Sequence, residues 1–313
     1  MRFLPASDTA LLVELADLDH ALALYRAVQA QPIAGVQELV PAARTLLVHY
    51  RPEAIAPATL IAALRQRAAA ADLGPADSAA ARCVEIPVHY RGEDLAEVAA
   101  LLGISAAELV ARHTGQPWQA AFAGFAPGFV YLAGGHPSFR AIPRRPTPRT
   151  RLPAGSVALA GDFSAVYPAA SPGGWQLIGV TDLPMWDLRR AEPAYVQPGF
   201  QVRFVDADAS GRHISLPPVP ESASNRSPAP AQPAPAAIEF ESIGLQTLVQ
   251  DAGRHGMAGL GISPSGALDQ PAMRQANRLV GNPVHAPVLE NLLGGLRLRC
   301  HGNATLAVTG AAA

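Results

Sequence analysis

Residues 152–180 read LPAGSVALAGDFSAVYPAASPGGWQLIGV. Three apolar runs stand out in it, at 156–160, 165–167 and 175–180, each set off by Gly or Pro. Runs this short, broken by turn-forming residues, predict β-strands joined by tight turns and leave no room for helices. Further out, residues 84–90 and 201–205 have the same texture, while 94–102 and 105–113 read as short helices. Many short strands with turn chemistry between them predict a closed or nearly closed β-barrel over residues 82–205.

The preceding residues, 1–80, have a different grain. Residues 9–13 read as a strand. Residues 18–29 carry Leu18, Leu22, Tyr25 and Val28 at helical spacing, with Asp17 placed to cap them. The β-like runs 35–40 and 45–50 flank Pro41 and Ala42, a hairpin signal, and 57–71 reads as a helix with Pro57 in its first turn. The order strand-helix-strand-strand-helix predicts a small α+β sandwich. Beyond the barrel, residues 206–237 are read as a linker, because the run PPVPESASNRSPAPAQPAPAA at 217–237 is almost wholly Pro, Ala and Ser and cannot bury a core. Structure is expected to resume over 238–313 as a partial, β-rich domain unable to close a barrel of its own. The fold class is therefore α+β, in two structured parts separated by a linker.

Composition narrows the chemistry. All 24 basic residues are arginine, so the chain has no lysine for a Walker phosphate loop, a Schiff base, pyridoxal phosphate or biotin attachment. A net charge of −1 offers no electrostatic case for nucleic acid or an anionic membrane. Acidic residues at 8, 14, 17 and 19 interrupt the N-terminus where a signal peptide needs an apolar run, and no later run approaches a bilayer's thickness, so the expected location is the cytoplasm. Cys83 and Cys300 stand alone, in no disulfide or zinc-site spacing.

Charge is unevenly placed. Residues 109–161 hold no Asp or Glu but include Arg112, Arg140, Arg144, Arg145, Arg149 and Arg151. In PRRPTPRTR, residues 143–151, prolines stiffen the backbone that carries the guanidinium groups, an arrangement suited to gripping a carboxylate or phosphate. Just upstream, FAGFAPGFVYLAGG at 122–135 sets Phe125, Phe129 and Tyr131 around a Pro127-Gly128 turn, where aromatic rings could wall a substrate and glycine lets the backbone approach it. Ser156, Ser171 and the Gly173-Gly174 turn supply donors. Neither serine lies in a G-x-S-x-G elbow, so both read as hydrogen-bonding groups and not as nucleophiles. His89, at a strand end, is the candidate proton carrier. Arg145, with His89 and Ser156, is thus the predicted catalytic set. Arg144, Arg149, Phe125, Pro127, Gly128, Tyr131, Ser171, Gly173 and Gly174 are the predicted binding set.

The runs FAPGFVYLAGG (125–135), PRRPTPR (143–149), LPAGSV (152–157), YPAASPGGW (167–175) and IGVT (178–181) resemble allophanate hydrolase subunit 1, a family that includes the 5-oxoprolinase B subunit and the kinase-inhibitor protein of sporulating bacteria. Past the linker, GLQTLVQDAGR (244–254), PSGALD (264–269) and ANRLVGNP (276–283) resemble the opening of allophanate hydrolase subunit 2, or the 5-oxoprolinase C subunit, and the same pair of modules resembles the carboxyltransferase region of urea carboxylase. In that second family the domain continues past the equivalent of Thr309 and Gly310, so residues 238–313 are expected to be incomplete. The resemblance implies a cyclophilin-like barrel after the sandwich. It also implies ATP-dependent opening of 5-oxo-L-proline to L-glutamate, with ATP as a substrate accompanied by Mg2+ and no covalent cofactor on this chain. The implied partners are the separate 5-oxoprolinase A subunit and a complete C subunit. Two alternatives stand beside it: a carboxyltransferase half-site served by biotin on another protein, and a non-enzymatic histidine-kinase inhibitor that uses the barrel for docking.

Overall fold

The computed structural model describes residues 1–74, 82–210 and 237–311. The chain divides into two compact units, Met1–Glu221 with Gly256–Ile262, and Ser222–His255 with Ser263–Ala313. The linker run at 217–236 lies outside the described residues.

The first unit opens with four strands, β1 (Arg2–Ser7), β2 (Ala10–Glu14), β3 (Val36–Pro41) and β4 (Thr45–Tyr50). They form an antiparallel sheet in the order β1-β2-β4-β3. Helices α1 (Leu18–Ala30) and α2 (Pro57–Ala70) pack on one another beside it. Asp17 caps α1 by accepting from the His20 amide, and Pro57 occupies the first turn of α2, where a missing N–H costs nothing. Leu11, Val13, Leu24, Val28, Leu46, Val48, Leu60 and Leu64 make the core between them. β1 was not anticipated. It is an edge strand carrying Pro5, which a strand tolerates only where the absent donor faces no neighbour.

The second sheet is the predicted barrel. Seven of the next strands build it: β5 (Cys83–Val88), β6 (Trp118–Ala123), β7 (Val130–Gly134), β9 (Ser156–Ala160), β10 (Phe163–Val166), β12 (Gln176–Val180) and β13 (Gln201–Asp206). Their order is β12-β9-β10-β7-β6-β13-β5. The remaining two, β8 (Arg149–Leu152) and β11 (Ser171–Gly173), form a two-stranded ribbon beside it. The residues just after β5 meet the edge strand β12 along a seam. His89 and Val180 exchange both backbone hydrogen bonds (2.8 and 3.0 Å), then Gly92 N–H donates to Ile178 O (3.2 Å) and Asp94 N–H to Leu177 O (2.9 Å). Closure of this kind removes the unpaired edges that an open sheet leaves.

Helices α3 (Leu95–Leu101) and α4 (Ala106–Thr114) cover the barrel, α4 capped by Ser105, and the short α5 (Ala207–Ser210) follows β13. Ile86, Val88, Trp118, Leu132, Val157, Leu159, Ile178 and Phe204 fill the interior. His113 and Ser164 are buried with them. His113 shares hydrogen bonds with the Tyr90 hydroxyl (2.7 Å) and Ser164 Oγ (3.0 Å) and stacks on Phe204. Burial pushes its pKa down to about 3, so it serves as a neutral crosslink.

The second unit holds two separate two-stranded pairs, β14 (Ala237–Ile243) with β17 (Leu296–His301) and β15 (Gln246–Gln250) with β16 (Val288–Leu292). It also holds α6 (Gln270–Leu279), capped by Asp269. Its buried residues are Ala267, Met273 and Asn277, while Leu245, Val249, Leu268 and Leu293 are well exposed. Among the described residues, no helix is long and apolar enough to cross a membrane.

Candidate functional site

Two groups of predicted site residues come together in the first unit, and His89 lies apart from both. The first group centres on Asp94, at the start of α3. Its carboxylate is 3% exposed and accepts from the Leu177 amide (2.7 Å), from Arg145 Nη1 (2.6 Å) and from both Nη atoms of Arg149 (2.9 and 2.7 Å). Glu93 and Glu97 flank the same guanidinium groups. Burial raises the Asp94 pKa, but the Arg149 fork, the Leu177 amide and the nearby Arg145 charge outweigh it and hold the carboxyl below its ordinary value.

This corrects the reading of the arginine run as free of acidic neighbours. Acids absent from residues 109–161 arrive from residues 93–97, brought in by the barrel seam. The forks of Arg145 and Arg149 are therefore engaged. Gly174 belongs to this group, its carbonyl accepting from the Arg145 amide (2.8 Å).

The second group is an aromatic cup on the Phe125 side. The loop folds back through the hydrogen bonds Ala126 N–H to Gly124 O (2.8 Å) and Phe129 N–H to Ala126 O (2.9 Å), which places Pro127 and Gly128 at its turn. Phe125 has φ +69°, in the left-handed region that side chains avoid, and the residue is 59% exposed. Its ring meets Phe129 at 5.1 Å and Tyr167 at 6.0 Å, both edge-on. Tyr131 stands against Phe129 at 5.2 Å and Trp175 at 5.6 Å.

Gly173 closes against the Tyr167 hydroxyl, where a Cβ would come within 2.5 Å of it. On the same strand the Ser171 hydroxyl is buried without a hydrogen-bond partner among the described residues. Burial raises the pKa of both tyrosines, Tyr167 to about 12, against the opposing pull of the Arg144 charge, so Arg144 lies within electrostatic reach of both. Arg144 is exposed and, among the described residues, makes no ion pair. The exposed Phe125 ring thus stands on a buried aromatic cluster with two protonated phenols and an available cation within electrostatic reach, a set suited to a small anion with a flat body.

His89 and Ser156 sit at the other end of β12. Both pair with Val180, at the far end of β12 from Gln176 and the glycine turn. A strand of that length separates the ends by about 13 Å. His89 Nδ1 meets Asp208 Oδ1 at 2.7 Å, and Ser156 Oγ donates to Pro153 O at 2.8 Å inside a turn. The structure brings neither of them to Arg145 and leaves His89 away from the cup, whereas Ser156 lies opposite Tyr167, whose amide donates to the Ser156 carbonyl at 2.9 Å. The groove between α1 and α2, lined by Arg26, Arg67 and several alanines, contains none of the predicted site residues.

Residues 1–196 match the family model described as carboxyltransferase domain, subdomain C and D. The chain belongs to that family. A second model, carboxyltransferase domain, subdomain A and B, matches residues 260–313. The 5-oxoprolinase B subunit of Bacillus subtilis (strain 168) is 36% identical over 205 residues, 62% of this chain and 84% of that protein. Its counterpart in Escherichia coli O157:H7 is 49% identical over 127 residues, 40% of this chain and 58% of that protein. The 5-oxoprolinase C subunit of Escherichia coli (strain K12) is 53% identical over 74 residues, 24% of each chain. Urea amidolyase of Lachancea kluyveri is 42% identical over 77 residues, 24% of this chain and 4% of that protein.

Among solved structures, TTHA0988 aligns with TM-score 0.69 and 36% identity over 93% of this chain and 57% of that one. The urea amidolyase of K. lactis shares the fold, with TM-score 0.55 at 18% identity over 65% of this chain and 14% of that one. The chain spans less than two thirds of the E. coli relative of the B type and of TTHA0988.

In this carboxyltransferase subdomain C and D chain, sequence reasoning found the cup's loop and its arginines. It missed Asp94, Tyr167 and Trp175 as site-forming residues. A signal for Asp94 was present: it sits at the N-cap of α3 but makes no capping bond, because its carboxylate is turned to β12 and the arginines.

Proposed function

We propose that this chain is a component of an ATP-dependent 5-oxoprolinase complex that opens 5-oxo-L-proline to L-glutamate, acting in the cytoplasm with a separate A subunit and a complete C subunit. One observation carries the reading: a single chain joins a stretch related to the 5-oxoprolinase B subunit with one related to the C subunit.

The chemistry fits the cup. A lactam resists water because amide resonance must first be broken. Transfer of the γ-phosphoryl group from ATP to the lactam oxygen releases ADP and leaves an activated C=N carbon. Water then adds to that carbon and the ring C–N bond breaks, leaving γ-glutamyl phosphate, and a second water cleaves this acyl phosphate to glutamate and phosphate. Magnesium would come with the nucleotide, held largely by its phosphates.

In this proposal Arg144 holds the substrate carboxylate or the transferring phosphate. Arg145 and Arg149, fixed by Asp94, set the backbone that presents it. The Tyr131 and Tyr167 hydroxyls remain protonated at neutral pH and donate, while Phe125 and Phe129 exclude water.

The test combines the chain with the A subunit and a complete C subunit and follows glutamate release from 5-oxoproline with and without ATP. Release that requires ATP and no biotin is expected, and Arg144→Ala should raise KM for 5-oxoproline about tenfold, the scale of one charge-assisted hydrogen bond. Absence of ATP-dependent release from the full mixture overturns the reading. The similarity to urea amidolyase favours a second reading, carboxyl transfer with biotin on another protein, and a biotin requirement would select it.

A further inference from the structure

Residues Gly256–Ile262 follow the linker in sequence, yet they belong to the same compact unit as residues 1–221. They form a tight turn around the 3-10 helix Ala258–Leu260, closed by Leu260 N–H to Met257 O and Gly261 N–H to Ala258 O, each 2.9 Å. Three contacts tie this turn to the rest of the first unit. Gly128 N–H donates to Leu260 O at 3.0 Å. Ala258 N–H donates to Glu38 Oε1 on β3 at 3.0 Å. Gly261, at φ +76°, lies so close to the Phe125 loop that a Cβ there would come within 2.5 Å of Ala126 O and 3.3 Å of Gly124 N.

The loop it touches is the one that needs holding. Phe125 occupies a left-handed conformation that costs a non-glycine residue free energy and persists only where its surroundings fix it. On one side Gly128 is packed against Met185 O and Trp186 Cβ, each 3.2 Å from where its Cβ would stand. On the other side stands the 256–262 turn.

We propose that Gly256–Ile262 is a strap that holds the Phe125–Gly128 loop in its cup-forming conformation, so that the candidate site of the first unit is completed by residues from beyond the linker. The surface on the loop is specific: it takes a turn that offers a carbonyl to Gly128 N–H and has no side chain at the point of closest approach. Gly261 is thereby a positioning residue. The proposal rests on the reading of the Phe125 cup as the site only for its functional meaning; the contact itself is tested without activity.

The experiment measures amide hydrogen exchange in the full chain. In Gly261→Val the new side chain meets Ala126 O and strains the backbone, lifting the strap. Peptides covering residues 124–129 should exchange about tenfold faster than in the unmodified chain, while β9 keeps its protection. Glu38→Ala, which removes the acceptor for Ala258 N–H, should raise exchange in the same peptides to a smaller degree and serves as the readout if Gly261→Val also loosens β9. Unchanged exchange over 124–129 in Glu38→Ala and in a folded Gly261→Val overturns the strap. Faster exchange with undiminished glutamate release from the assembled complex would uphold the strap and remove the cup from 5-oxoproline chemistry.

Discussion

Asparagine at position 94 would keep the shape of the side chain and remove its charge, leaving Arg145 and Arg149 with two guanidinium groups and no buried anion between them. Asp94→Asn is expected to lower the unfolding free energy of the first unit by about 3 kcal/mol, the low end for breaking a buried pair because both arginines keep some solvent contact. Urea denaturation would measure it. The sign with pH follows from the depressed carboxyl: its contribution is complete above the unfolded value near 4 and is lost as pH falls through the lower folded value, so the difference between the two proteins should narrow below about pH 4. Sequence reading reached the arginines but not this partner, because Asp94 lies 51 and 55 residues away from them and only the closed barrel makes them neighbours. The same holds for Tyr167 and Trp175, which read as strand residues and lie in the buried aromatic cluster behind Phe125 and Phe129.

The seam between residues 89–94 and β12 is built from backbone contact, and Gly92 marks its tightest point. A methyl group there would overlap the Leu177 carbonyl oxygen and the Ile178 carbonyl carbon, both main-chain atoms unable to swing aside. Gly92→Ala should therefore destabilise the barrel by about 1–3 kcal/mol in thermal unfolding, while the β1–β4 sheet, with its own core, is spared. Local signals announced most elements: the Pro41-Ala42 hairpin signal at the end of β3, the Asp17 cap of α1, and the Gly/Pro turns around β9 and β12. β1 was hidden because its six residues include a proline and alternate no apolar face, so nothing local distinguishes it from a loop. Its pairing with β2 is a tertiary fact.

At the scale of the molecule the two units differ in how much apolar surface they hide. The first encloses several hydrophobic cores, whereas the second buries little beyond Ala267 and Met273 and leaves many large apolar side chains exposed. Expressed by itself, the segment 237–311 should be cleaved rapidly by protease and unfold without a cooperative transition; resistance with a sharp melt would contradict this. Another consequence lies in how the barrel is threaded. Its first and last strands, β5 and β13, are parallel neighbours paired from Cys83↔Gln201 to Val88↔Asp206. Tension between the flanking parts of the chain would pull β5 by its leading end and β13 by its trailing end, in opposite directions along one ladder. Every rung would then resist at once instead of opening in turn, and the barrel would yield to stretching only by sliding, the most resistant geometry a sheet offers.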